Sequence, residues 1–212
     1  KNKALVMEMA DKLMEKEKAN YAFCKTLKTE KNTPFSTDMP KGLQFKDCYF
    51  GFSGACGGCG ETPYIKLATM LVGEKMLIAN ATGCSSIYGG SYPSNPYFKD
   101  ESGRGPAWAN SLFEDNAEFA FGIYTSYKEK RNRIAAIMQS TIATVDQEEA
   151  RLFQLWLDNR EDFAITGDIK EKLHDKTIPK ELIDLIDYIP ARSVWAIGGD
   201  GWSYDIGYGG LD

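Results

Sequence analysis

Two cysteines separated by two glycines form the pattern with the clearest chemical potential in this sequence. Cys56 and Cys59 can bring two thiolates to one metal centre, and the intervening glycines let the backbone wrap closely around it. Zinc ribbons, thioredoxin-like redox pairs and iron-sulfur sites all use this spacing. A zinc ribbon needs a second closely spaced pair, whereas the only later cysteine is Cys84. The pattern favours an iron-sulfur site, with zinc and plain buried thiols as the alternatives.

A second candidate site follows a short apolar segment at residues 193–197. Its four residues are Gly199, Asp200, Gly201 and Trp202. Glycines at such a turn expose backbone N–H groups to a diphosphate, and the Asp200 carboxylate is a hard oxygen ligand suited to Mg²⁺. No Gly-Lys-Ser/Thr sequence follows, so this is not a Walker A loop. A phosphate-metal site and an ordinary glycine-rich turn remain the two interpretations.

The elements that must position these residues indicate an α/β fold. Short apolar segments predict strands at residues 76–79 and 193–197, separated by long helical segments. Cys84 would lie at the C-terminal end of the first strand, and ligands of open α/β sheets bind at that edge. The predicted fold class is therefore α/β with a mainly parallel sheet flanked by helices.

Helices and one long loop are predicted between and around these strands. Thr62 is predicted to be the N-cap of a helix over residues 62–72, with Pro63 at its first position. Asp146 and Glu149 form a capping-box-like start of another helix. The remaining predictions are a helix over 116–143, a helix opened by Pro179 and a loop over 89–106.

The first 42 residues are predicted to form a helix and a linker outside the compact domain. Leu5, Met9 and Leu13 lie four apart among charged residues, which is typical of an amphipathic helix over residues 3–24. Residues 29–42 are rich in asparagine, proline, serine and glycine, which break regular structure. We expect the compact domain to occupy residues 43–212.

Composition and charge exclude several classes of protein. The net charge is -5, from 30 acidic and 25 basic residues, without a dense basic block that could bind nucleic acid. Charged residues interrupt the longest apolar stretch, at residues 66–81, so no membrane span is predicted. The N-terminal segment lacks the pattern of a signal peptide, and five cysteines make an odd count that disfavours a disulfide framework. A cytoplasmic location is therefore expected.

Four longer motifs together resemble the pyruvate:ferredoxin (flavodoxin) oxidoreductases. They are GACGGCGETPY at 54–64, ANATGCSSI at 79–87, GRGPAWANSLFEDNAE at 103–118 and GDGWSYDIG at 199–207. The last is similar to that family's thiamine-diphosphate motif, and the resemblance covers essentially the whole chain from about Lys41. It identifies the chain as the thiamine-diphosphate-binding, iron-sulfur portion of such an enzyme. It also implies that the sequence is truncated at the C-terminus, within the cofactor motif.

The resemblance implies a role for each candidate residue. Cys56, Cys59 and Cys84 would ligate the 4Fe-4S cluster nearest the thiamine, and Glu61 and Cys84 would lie against thiamine diphosphate. The diphosphate would be held by Gly199, Asp200, Gly201 and Trp202, with Asp200 as a Mg²⁺ ligand. In the family the fourth cluster cysteine and the remaining Mg²⁺ ligands lie downstream, and pyruvate is bound largely by another domain. We therefore assign no catalytic residue and expect the isolated chain to be inactive.

The family reaction is the oxidative decarboxylation of pyruvate to acetyl-CoA and CO₂, with coenzyme A as second substrate. Electrons pass through 4Fe-4S clusters to ferredoxin or flavodoxin. The expected partners are the rest of the parent polypeptide and, within a homodimer, a second copy of it. Three alternatives remain open: a related 2-oxoacid:ferredoxin oxidoreductase, an electron-transfer subunit without thiamine diphosphate, and a non-catalytic zinc-binding module.

Overall fold

A computed structural model describes residues 6–27, 34–46, 48–100, 102–174 and 176–205. The chain divides into two compact units, Lys1–Asp47 and Cys48–Asp212. The first unit contains helices α1 (Asp11–Thr26) and α2 (Pro40–Leu43). The predicted apolar stripe is only partly helical, because α1 begins after Met9, and Leu5 lies outside the described residues. No residue of α1 is buried, so the stripe does not form a packed face in the described structure.

The second unit alternates strands and helices around one small sheet. Its elements are α3 (Thr62–Val72), β1 (Met76–Ala81), α4 (Cys84–Gly90), β2 (Ala107–Ser111), α5 (Asn116–Thr141), α6 (Gln147–Asp158), α7 (Phe163–Leu173), α8 (Lys180–Ile183) and β3 (Ser193–Ile197). Short 3₁₀ helices lie at Gly73–Lys75 and Ile186–Tyr188, and a π-helical turn at Gly201–Asp205. Within the described residues, no helix is long and apolar enough to cross a membrane.

The sheet has the strand order β2-β1-β3, and both pairings are parallel. Ile78 of β1 lies between Trp108 of β2 and Trp195 of β3. All but one of the β1 residues are buried, as expected for the central strand of a parallel sheet covered on both faces. The predicted α/β fold with a mainly parallel sheet is confirmed.

The strand β2 was not predicted from the sequence. Its residues, AWANS, contain no apolar run, and every one of them is exposed or half-buried. Strand propensity alone is therefore weak here, and the pairing with β1 makes the segment a strand. The loop predicted over residues 89–106 begins slightly later than expected, because α4 extends to Gly90.

The helices predicted within the second unit are confirmed in position, with an error at the start of α3, whereas α4 and α7 were not predicted. α3 covers the predicted residues, but Thr62 is its first residue and not its N-cap, so Pro63 is its second residue and not its first. The Thr62 hydroxyl instead donates a hydrogen bond to Ser53 Oγ at 3.0 Å. The prediction for Asp146 is right, since its side chain accepts a hydrogen bond from the Glu149 N–H at 2.8 Å.

The second half of α5 packs with α6, α7 and α8 around an apolar cluster whose last member, Ile189, lies just before β3. Trp156 is fully buried there, and its indole N–H donates to the carbonyl of Ile189 at 2.9 Å. The buried guanidinium of Arg131 donates to the same carbonyl at 2.7 Å and to the Tyr188 carbonyl at 3.0 Å. These hydrogen bonds compensate the buried charge of Arg131, which has no carboxylate partner among the described residues, and they hold the segment before β3 in place.

Candidate functional site

The carboxyl ends of all three strands meet at one edge of the sheet, which we call the ligand edge. A network of amides joins the strands there: the Asn80 side-chain amide donates to Asn110 Oδ1 at 2.9 Å, and Asn110 donates to Thr82 Oγ1 at 2.9 Å. Asn116, at the start of α5, donates to the carbonyls of Ala79 and Ile197 at 3.1 and 3.3 Å. This amide therefore fastens β1 to β3 where the site begins. Its role was not predicted, because no local pattern marks it.

The two-cysteine motif forms a tight turn before α3. The Cys59 N–H donates to the Cys56 carbonyl at 3.0 Å, and Gly58 has a φ of 76°, a conformation that glycine adopts without strain. Cys56 is exposed and Cys59 half-buried. A methyl group added at Gly57, Gly58 or Gly60 would meet no atom within 4 Å, so the turn has open space beside it.

Cys84 follows β1 at the ligand edge, as predicted, and is the first residue of α4. Gly83 makes the corner possible with a φ of 151°, and the Ser86 hydroxyl bonds to both its N–H and its carbonyl. A Cβ atom on Gly199 would lie well inside 3.0 Å of the Cys84 sulfur. The turn after β3 therefore touches the thiol only because residue 199 is glycine.

Glu61 lies between the cysteine turn and α3, close to Cys84 and Asp200. Burial raises the pKa of its carboxyl and the Asp200 carboxylate raises it further, whereas a hydrogen bond from the Tyr88 hydroxyl opposes them. Burial likewise raises the pKa of the Cys84 thiol, with contributions from Glu61, Asp200 and Cys59. Although Cys84 is exposed as a residue, Gly199 encloses its sulfur on one side.

The glycine-rich turn after β3 is held in place by a tryptophan. Trp202 is 5% exposed, and a side chain on Gly198 would overlap its indole ring. The Ser203 N–H donates to the Gly199 carbonyl at 2.9 Å, a bond of α-helical spacing that links this turn to the π-helical segment Gly201–Asp205. Asp200 is exposed, so its carboxylate is accessible to a cation from solvent.

The fold thus gathers most of the predicted site residues at the ligand edge. Cys59, Glu61 and Cys84 come from the segments flanking β1, and Gly199 and Asp200 come from the turn after β3. In the described part of the chain, no three His, Cys, Asp or Glu side chains lie close enough together to hold a metal ion. The donor chemistry nevertheless suits the expected groups, because thiolates suit an iron-sulfur cluster and carboxylates suit Mg²⁺. Converging acidic groups also favour a bound cation, which would offset their mutual repulsion.

Comparison with known proteins gives the resemblance independent support, although no family model matches the chain. A pyruvate:ferredoxin oxidoreductase of Moorella thermoacetica is 43% identical over 232 residues, which cover 100% of this chain and 19% of that protein. A pyruvate-flavodoxin oxidoreductase of Klebsiella pneumoniae is 47% identical over 193 residues, covering 87% of this chain and 16% of that protein. A pyruvate dehydrogenase (NADP+) of Cryptosporidium parvum is 40% identical over 253 residues, covering 99% of this chain and 13% of that protein. The chain is homologous to one segment of these enzymes and spans less than a fifth of their length.

Proposed function

We propose that this chain is the thiamine-diphosphate-binding, iron-sulfur portion of a pyruvate:ferredoxin oxidoreductase. The parent enzyme would convert pyruvate and coenzyme A to acetyl-CoA and CO₂ and pass the electrons to ferredoxin or flavodoxin. The observation that carries this proposal is the 43% identity along the whole chain with a protein of that name. The convergence of Cys59, Glu61, Cys84 and Asp200 at the ligand edge supports it.

The cysteine turn and Cys84 would hold a 4Fe-4S cluster. Cys56, Cys59 and Cys84 supply three thiolates, and the space beside the glycines of the turn leaves room for the cluster. A cluster of this type takes four cysteine ligands, and the family resemblance implies that another part of the parent polypeptide would supply the fourth. For the same reason we expect the isolated chain to lose the cluster and to be inactive.

The turn after β3 would hold the diphosphate through Mg²⁺. Asp200 would be a Mg²⁺ ligand, and Gly199 and Gly201 would present backbone N–H groups to the diphosphate while buried Trp202 fixes the turn. Thiamine diphosphate, when bound, supplies the electron sink for loss of CO₂ from pyruvate. Glu61 and Cys84 would lie against the bound cofactor. Cys84 would then stand between both cofactors and keep the distance between them short.

In our proposal, residues outside this segment determine the electron acceptor. Relatives named for ferredoxin, for flavodoxin and for NADP+ all contain the segment at 40% identity or more. The same reasoning keeps a related 2-oxoacid as the alternative substrate, because the pyruvate-binding residues would come from the rest of the parent polypeptide. We expect the parent to be a homodimer that works in the cytoplasm.

The proposal is tested on the parent protein purified without oxygen. We expect near-equal amounts of iron and sulfide, and pyruvate- and coenzyme A-dependent reduction of a viologen dye. A panel of 2-oxoacids compares substrates, and turnover of another 2-oxoacid in place of pyruvate would establish the alternative. Zinc without iron or sulfide would overturn the proposal and support a structural zinc module.

A matched pair of cysteine variants assigns the activity to the site. Cys84→Ser removes a thiolate at the ligand edge, whereas Cys24→Ser removes an exposed thiol from α1. We expect loss of iron and of dye reduction only for Cys84→Ser. Equal iron content and activity in both variants would contradict the assignment of Cys84 to the cluster.

A further inference from the structure

The hydroxyl of Tyr88 provides a contact to the candidate cofactor site that the sequence motifs do not assign. It donates a hydrogen bond to Glu61 Oε1 at 3.0 Å. Glu61 directly precedes α3, whereas Tyr88 lies in α4, one turn after Cys84. The bond therefore ties the segment that carries Cys59 to the helix that begins with Cys84.

Tyr88 is a rigid donor because its ring is enclosed. It is 4% exposed and belongs to the apolar cluster of Phe50 and Ile65. The Phe50 ring meets it edge-on, with centroids 6.2 Å apart and planes at 86°. On another side, a Cβ on Gly54 would already lie in contact with the Tyr88 Cβ, at 3.4 Å. The hydroxyl thus has one defined position relative to the backbone of both segments.

The Glu61 side chain, by contrast, has little else to fix it. Among the hydrogen bonds and ion pairs of the described residues, the bond from Tyr88 is the one that the carboxylate makes. Its surroundings include the Asp200 carboxylate, which repels it, and the Cys84 thiol. Without the bond, a flexible glutamate would retreat from Asp200 toward solvent and regain rotamer freedom.

We propose that Tyr88 is a positioning residue that holds the Glu61 carboxylate at the ligand edge, ready to contact the bound cofactor. This inference rests on the proposed function, in which Glu61 lies against thiamine diphosphate. Tyr88 itself does not touch the cofactor and acts through Glu61. One Glu61 oxygen is occupied by Tyr88, which leaves the other for the ligand.

The test is a double-mutant cycle in the full-length parent protein, with Tyr88→Phe and Glu61→Ala made singly and together. The phenylalanine keeps the ring and removes only the hydroxyl. We expect Tyr88→Phe to raise the Kd for thiamine diphosphate with Mg²⁺, measured by calorimetry, and to lower kcat. Loss of a hydrogen bond to a charged group typically costs about 10- to 100-fold. In the Glu61→Ala background, Tyr88→Phe should have no further effect on either quantity.

Tyr97→Phe is the matched control. Tyr97 packs edge-on against the same Phe50, at 5.1 Å and 79°, and its hydroxyl interacts electrostatically with Glu61 but makes no hydrogen bond to it within the described residues. This variant should bind thiamine diphosphate as the wild type does. The melting temperature and the iron content of each variant report any loss of folding.

The outcomes separate this inference from the proposed function. A wild type that binds no thiamine diphosphate and does not oxidise pyruvate overturns the proposed function, and the role of Tyr88 with it. A wild type that does both, with Tyr88→Phe equally harmful in the presence and absence of Glu61, overturns only the positioning role. A Tyr88→Phe variant with the wild-type Kd for thiamine diphosphate and the wild-type kcat also overturns only the positioning role.

Discussion

Replacing Gly199 with alanine should displace the Cys84 sulfur. A Cβ at this position would lie inside 3.0 Å of the sulfur, whereas ordinary van der Waals contact begins at 3.4 Å. The sulfur and the turn after β3 must therefore move apart by at least 0.4 Å, the difference between these distances. Metal–ligand distances tolerate deviations of only about 0.2 Å, so the displaced thiolate should no longer hold its iron.

The consequences are measurable in stability and in activity. Because Gly199 is buried, the added methyl group should also lower the free energy of unfolding by about 1–3 kcal/mol, the usual cost of overpacking. Misplacement of a reacting group by about 1 Å costs on the order of 100-fold in rate, and we expect a loss of activity approaching this. Iron content, viologen reduction and urea unfolding of the parent protein provide the three measurements.

A second glycine provides the control for Gly199→Ala. Gly122 lies in α5, and a methyl group there would meet no atom within 4 Å. Gly122→Ala should leave iron content and activity unchanged and add about 0.5–1 kcal/mol of helix stability. If Gly199→Ala retained full iron and activity, the reasoning about Cys84 would be refuted.

Three further predictions concern single positions. Gly58→Ala should lower the free energy of unfolding, measured in urea, by about 1–2 kcal/mol, because alanine is strained at the φ of 76° that Gly58 adopts. Gly57 has no such positive φ, so Gly57→Ala should lower the free energy of unfolding far less. Hydrogen bonds to the Asp100 carboxylate, first from Ser102, lower its pKa from 3.8 to about 2. The ionised group therefore stabilises the fold above pH 3.8, and this stabilisation is lost as the pH falls toward 2. In acid unfolding, Asp100→Asn should thus show a weaker pH dependence than the wild type over this interval; equal curves would contradict it. Asp146→Ala should lower the free energy of unfolding by about 1 kcal/mol, because it removes the N-cap of α6. Asp146→Asn keeps a capping side chain and should retain most of this stability.

Local patterns were sufficient to predict much of the fold. The apolar run at Ser193–Ile197 gives β3 its observed bounds, and Asp146 marks the start of α6. Both features depend on residues within a few positions of each other. β2 could not be found in this way, because its half-exposed residues form a strand only through pairing with β1.

The site was predicted as a set of residues and not as an arrangement. The motifs identified Glu61, Cys84 and Asp200, but their proximity depends on the pairing of β1 with β3. The contact of Tyr88 with Glu61 depends likewise on how α3 and α4 pack. Such contacts join distant parts of the chain, and no spacing rule within one segment predicts them.

The pairing of β1 with β3 also bears on how the chain folds. It places Ile78 beside Trp195, more than a hundred positions later, and closing so long a loop loses entropy before the ladder bonds form. The intervening helices shorten this search, because Arg131 and Trp156 fasten the Ile189 carbonyl, just before β3, to α5 and α6. We therefore expect the helical cluster to form first and to deliver β3 to the sheet, so that the turn bearing Asp200 reaches its place late in folding.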